Sequence, residues 1–133
     1  MQKPFYSLYA VLLAGSVPLF LGVLLCDVAY SSSYEVQWKN FASWLLVGGL
    51  LFGGFALLCA LIELRRLGRG LRPTLYVVLL VAMWVLGFID ALVHAGDAWA
   101  SMPAGLILSA IVAVLAMVAT GFRFSNSHLG VAE

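Results

Sequence analysis

The sequence predicts an all-α integral membrane protein, a four-helix transmembrane bundle of up-down topology with both termini cytoplasmic. Three observations predict it: an excess of apolar residues, four apolar stretches each long enough to cross a bilayer, and a one-sided placement of basic residues. Hydrophobic residues make up 64% of the 133 residues and charged residues 10%, against roughly 45–50% and about 25% in ordinary soluble domains. A water-soluble fold of this size exposes too much of its surface to hide that apolar content. The length suggests one domain, residues 1–133. The formal net charge of +1 offers no basis for nucleic-acid binding.

A bilayer core of about 30 Å needs about 20 apolar helical residues. The first stretch runs from about Leu8 to Ala29, the second from about Phe41 to Leu64, the third from about Leu75 to Val93 and the fourth from about Pro103 to Phe122. Each is continuously apolar, without the alternation of a barrel strand. A helix also satisfies its own backbone hydrogen bonds in lipid. The first stretch exceeds the usual core of a signal peptide, and is read as a retained span. Pro18 within it removes one backbone donor and is expected to bend the helix.

The connections are short, so sequential helices should be antiparallel neighbours. Ser31-Ser32-Ser33-Tyr34-Glu35 is polar turn material. Gly68 and Gly70 should end the second helix, and Pro73 and Pro103 suit the first turns of the third and fourth. Arg65, Arg66, Arg69 and Arg72 share one connection. With four spans, Lys3 and Arg123 fall on the same side, leaving Lys39 alone opposite. This asymmetry places the arginine-rich connection and both termini inside, and residues 31–40 and 96–102 outside. Tyr30, Tyr34, Trp38, Trp44 and Trp99 are expected to form the outer aromatic belt, and Tyr6, Tyr76, Phe122 and Phe124 the inner one. The arginine connection reads as a topology signal, with an anionic-lipid or partner site as the alternative.

Small residues allow helices to approach closely in lipid. Gly49, Gly53, Ala56 and Ala60 share one face of the second span, and Ser109, Ala113, Ala116 and Thr120 one face of the fourth. These faces are expected to hold the bundle together, with a homodimer seam at the Gly49-x-x-x-Gly53 pair as the alternative. Cys26 and Cys59 lie near opposite membrane faces, too far apart for a bridge.

Charge within a span costs at least about 2.5–3.5 kcal/mol at the centre. Asp27 lies near the outer end of the first span. Asp90 and His94 lie four residues apart near the outer end of the third, so both point from one face. These three residues reach similar depth and can converge. They are candidates for a structural ion pair, a proton or ion relay, or a metal or haem site. His128, the other histidine, is a fourth candidate cofactor ligand. It falls on the inner side, a membrane thickness from His94, which excludes bis-His ligation of one haem within one chain. Glu63 closes the second span near Arg65 and Arg66 and should snorkel and pair at the inner boundary. No nucleophile–base pair, phosphate loop, Cys/His metal spacing or nucleotide fingerprint is present. No catalytic residue, no cofactor and no dedicated metal site is expected.

With these residues in hand, the chain resembles a bacterial family of four-span membrane proteins, domain of unknown function 2231. The likeness lies in Pro18-Leu19-Phe20 and Asp27-Val28-Ala29-Tyr30, then in Trp44-Leu45-Leu46-Val47-Gly48-Gly49 with Ala56, Ala60 and Glu63. It continues in Asp90-Ala91-Leu92-Val93-His94, Asp97-Ala98-Trp99, Gly121 and His128-Leu129-Gly130-Val131. Lys3-Pro4 stands where the family often has His-Pro, and Phe122-Arg123-Phe124-Ser125-Asn126 replaces a glycine-rich stretch. The resemblance implies a multi-pass protein of a prokaryotic inner membrane and brings no established activity. Some relatives look fused or adjacent to redox proteins, which implies a membrane redox-complex partner. The expectation is thus a non-enzymatic structural or partner subunit embedded in the bilayer. The alternatives are a redox or proton-handling module using the outer Asp/His cluster, and a small oligomeric transporter.

Overall fold

In a computed structural model the chain forms four helices: α1 (Gln2–Ser33), α2 (Val36–Leu67), α3 (Leu71–Ala95) and α4 (Ala104–Ala132). The structure describes residues 2–67, 70–96 and 102–132, with side chains described from residue 8 to 66, 70 to 96 and 102 to 123. Each helix contains a segment long and apolar enough to cross a membrane, as the four stretches predict. The protein is a multi-pass membrane protein. At 1.5 Å per residue, the 32 residues of α2 extend about 48 Å, well beyond the hydrocarbon layer.

The helices overrun the predicted spans because the connecting sequences help form them. Ser31, Ser32 and Ser33 belong to α1 rather than to a turn. Their hydroxyls donate back to the carbonyls of Val28 (2.8 Å), Ala29 (3.1 Å) and Ala29 (2.7 Å) in the preceding turn, so the polar side chains are satisfied within the helix. The connection shrinks to Tyr34 and Glu35. Tyr34 adopts the left-handed region at φ 56 and its N–H closes on the carbonyl of Tyr30. The helix α1 continues through Pro18. Pro73 stands third in α3, behind an extended Gly70, while Gly68 lies outside the described residues.

Packing follows a single rule on all four helices. On α1 the buried stripe runs Tyr9, Leu13, Ser16, Phe20, Val23, Asp27 and Tyr30, alternating steps of four and three, with Cys26 buried beside it. Ala42, Leu46, Gly49, Gly53, Ala56 and Ala60 do the same on α2. Tyr76, Leu80, Met83, Gly87, Asp90 and His94 continue it on α3, and Gly105, Ser109, Val112, Ala116 and Ala119 on α4. A mean step of 3.5 residues is the seam of a left-handed helical bundle. Each helix packs on two neighbours: α1 on α2 and α4, and α3 on α2 and α4. Helices α1 and α3 therefore stand diagonally opposite.

The seam separates side chains by size. Its interior is rich in Gly, Ala and Ser, whereas Trp44, Leu71, Leu25 and Val11 are among many large apolar residues turned outward. In lipid such exposure costs nothing, and close backbone approach does the packing. The ring of Phe20 fills the centre. A Cβ on Gly49 would lie 2.7 Å from Phe20 Cε1, and one on Gly53 2.9 Å from Met83 Cε. The Gly49-x-x-x-Gly53 face is thus packed against Phe20 and Met83 within the chain. On α4 the small-residue face turns by one position: Ala119 is buried, while Thr120 is half-buried and donates to the Ala116 carbonyl.

Two belt assignments are corrected by the same seam. Trp38, Trp44 and Tyr34 are exposed, but Tyr30 and Tyr76 fall on seam positions and are buried. Trp99 lies outside the described residues, as do the side chains of Tyr6 and Phe124. At the end carrying the termini, Tyr76 stacks on Phe122 and Arg123 lies 4.6 Å over the Tyr9 ring. Arg123 also donates to Glu63 across from α4 to α2 (3.2 Å), so Glu63 pairs between helices, while Arg65 and Arg66 beside it are exposed. Cys26 and Cys59 are both free thiols.

Candidate functional site

Near the end of the bundle that carries the α1–α2 and α3–α4 connections, the seam brings Asp27, Asp90 and His94 together. Asp27 comes from α1, seven residues beyond Phe20 and on the same stripe. Asp90 and His94 occupy the last two seam positions of α3. All three are buried, at 0%, 0% and 2% exposure, although two of them are acids in a chain that crosses a membrane.

The imidazole sits between the two carboxylates. His94 Nδ1 is 2.9 Å from the Asp90 backbone carbonyl, which can only accept, so Nδ1 carries a proton and donates it there. The Asp90 carboxylate stands beside the same nitrogen, its Oδ1 3.1 Å away. On the other side, His94 Nε2 is 2.7 Å from Asp27 Oδ1. The contact expected from the four-residue spacing of Asp90 and His94 is therefore present. The contact with Asp27 is shorter, and it crosses the diagonal of the bundle from α1 to α3. Asp27 Oδ2 and both carboxylate oxygens of Asp90 are buried without a hydrogen-bond partner.

Two further residues shape the cluster and carry weaker sequence signals. Gly105, in the first turn of α4, faces the imidazole: a Cβ there would lie 3.2 Å from His94 Cε1. A glycine inside a helix costs stability relative to alanine, so a close approach was the available clue. Lys39, the one basic residue at this end, donates from Nζ to the carbonyls of His94 and Gly96. It caps the C-terminus of α3, where a cation meets the negative end of the helix dipole. Its exception to the charge asymmetry thus has a local cause. Asp97 lies outside the described residues. His128 falls in the last part of α4, and its side chain is likewise outside them.

The described geometry agrees with a comparison against protein families. The model of a family described as predicted membrane protein (DUF2231) matches residues 7–125. The chain belongs to the DUF2231 family. The matched stretch contains Asp27, Asp90 and His94, and also Glu63 and Arg123. It stops short of His128, so the tail likeness at His128-Leu129-Gly130-Val131 lies beyond the family match. No curated protein matches this DUF2231 chain, and no solved structure does.

Chemically, the site holds two acids and one base in an almost fully enclosed space. A charge moved into or out of it changes its energy strongly, because the surroundings screen poorly. The two ring nitrogens of His94 face different helices. The imidazole can therefore accept a proton from one side and release it on the other.

Proposed function

We propose that this DUF2231 protein is a proton-handling membrane module, with Asp27, His94 and Asp90 as the group that takes up and releases protons. One observation carries the reading: a buried imidazole with a carboxylate beside each ring nitrogen, contributed by two different helices. A purely structural tie needs one such partner. The second acid adds burial cost, and three of the four carboxylate oxygens have no hydrogen bond, Asp90 Oδ1 meeting His94 Nδ1 only as an ion-pair contact. Ionisable groups retained inside a membrane bundle at that cost mark proton and ion pathways. The basic residues add an orientation: both termini and the arginine connection cytoplasmic, the Asp/His cluster toward the outer face of a bacterial inner membrane. A membrane redox complex that releases or consumes protons there is the partner this reading favours.

The test is proton flux in proteoliposomes under an imposed pH gradient. Wild type should dissipate the gradient faster than protein-free vesicles, and Asp90→Asn should abolish the difference while keeping the thermal stability of the bundle. The diagonal contact of Asp27 with His94 supports a second reading, a structural subunit whose cluster ties α1 to α3. Wild-type vesicles as tight as empty ones, with Asp27→Asn markedly less stable, would favour that reading instead.

A further inference from the structure

The orientation of the His94 ring bears on more than proton transfer. Its Nδ1–H is committed to the Asp90 carbonyl, the arrangement that fixes ring and tautomer in a metal-bound histidine. A neutral ring held this way directs the lone pair of Nε2 at Asp27 Oδ1, 2.7 Å away. Two lone-pair atoms at that distance need a positive particle shared between them. A proton is one such particle, and a metal ion is the other.

Several further observations favour a metal. Asp27 Oδ2, Asp90 Oδ1 and Asp90 Oδ2 are buried carboxylate oxygens without a hydrogen bond. One donor atom each from Asp27, Asp90 and His94 lies within 4.8 Å of the other two, so small side-chain rotations would bring them around one ion. Charge balance points the same way. Two carboxylates and a neutral imidazole sum to minus two, which a divalent cation cancels, leaving the buried site neutral inside the bilayer.

We infer that Asp27, Asp90 and His94 form a binding site for one divalent transition-metal ion, of which zinc is the representative. One imidazole nitrogen with two carboxylates suits zinc and its first-row neighbours. Calcium takes six to eight oxygens, and magnesium keeps several waters in an octahedral shell. Three protein ligands leave a zinc ion one further position. Gly105 lies against the ring, where a Cβ would lie 3.2 Å from His94 Cε1, so no side chain crowds the imidazole on that side. The site shares its residues with the proton-handling group but does not depend on proton flux. Metal binding displaces the protons that otherwise occupy the cluster.

The experiment uses the full chain purified in detergent, stripped with a chelator and titrated with zinc by calorimetry. Metal content after desalting and a cobalt(II) visible spectrum accompany it. The expected result is one zinc per chain, bound with proton release, and cobalt bands that disappear in His94→Gln. Asp27→Asn and Asp90→Asn should each weaken zinc by at least about tenfold, while Glu63→Gln, remote from the cluster, leaves binding unchanged. If His94→Gln fails to fold, the near-isosteric Asp27→Asn and Asp90→Asn decide the matter. Wild type without stoichiometric zinc, or zinc affinity untouched by both Asp→Asn changes, overturns the inference. Zinc bound by a protein that carries no proton flux removes the proton reading and leaves the metal site standing. Flux without zinc does the reverse.

Discussion

At the scale of single residues, the Asp27–His94–Asp90 cluster is expected to dominate the response to substitution. His94→Ala leaves two buried carboxylates facing an empty space. Removing one partner from a buried ionic group costs roughly 3–5 kcal/mol. The expected outcome is a large loss of stability in a detergent unfolding titration; an unchanged midpoint would mean that the carboxylates find other partners. Gly105→Ala tests the room around the ring. Its Cβ would lie 3.2 Å from His94 Cε1, tight but movable, so the fold should lose no more than about 1–3 kcal/mol. Zinc affinity or proton flux should fall disproportionately. Equal loss in both would make Gly105 a packing residue alone.

At the scale of elements, the glycine pairs of α2 separate seam from flank. At Gly49 an added Cβ would lie 2.7 Å from the ring of buried Phe20, whereas at Gly48 it would lie 3.4 Å from Leu19 Cδ1. Gly49→Ala should therefore destabilise by about 1–3 kcal/mol. Gly48→Ala should be neutral or gain up to about 1 kcal/mol from helix propensity. Thermal unfolding of the two variants side by side checks the contrast, and Phe20→Leu should recover part of the Gly49→Ala loss. Lys39 acts on another element, the end of α3. Lys39→Met removes the donor to the carbonyls of His94 and Gly96. Faster amide hydrogen exchange in the last turn of α3, with the rest of the helix unchanged, is the expected result.

At the scale of the whole molecule, the even number of spans and the arginine-rich α2–α3 connection make a topological prediction. A reporter active only in the periplasm should stay silent when fused after residue 133. It should be active when inserted between α3 and α4, at residues 97–101. The reverse pattern would invert the bundle and turn the Asp/His cluster toward the cytoplasm. The diagonal arrangement matters at this scale too. Helices α1 and α3 do not share a broad interface, yet Phe20 and the Asp27–His94 contact both reach across the centre, one by shape and the other by charge. The glycine face of α2 is filled from within.

Much of this was already present in the order of the residues. Apolar length alone determines four spanning helices, since lipid forces the backbone to satisfy itself. The small residues of α2 mark its packed face because only they admit a neighbouring backbone. The four-residue spacing of Asp90 and His94 puts them on one face. The tertiary structure decided the rest. That Asp27 meets His94 more closely than Asp90 does depends on which seam of α1 turns inward, and two helices distant in sequence leave no local trace of their register. Tyr30 and Tyr76 are interior because of that register, although their chemistry suits an interface. The three serines continue α1 because their hydroxyls bond back to carbonyls of the preceding turn, which turn propensity does not anticipate. Local periodicity reports each helix's face; only the packed bundle determines which faces meet, and at what height.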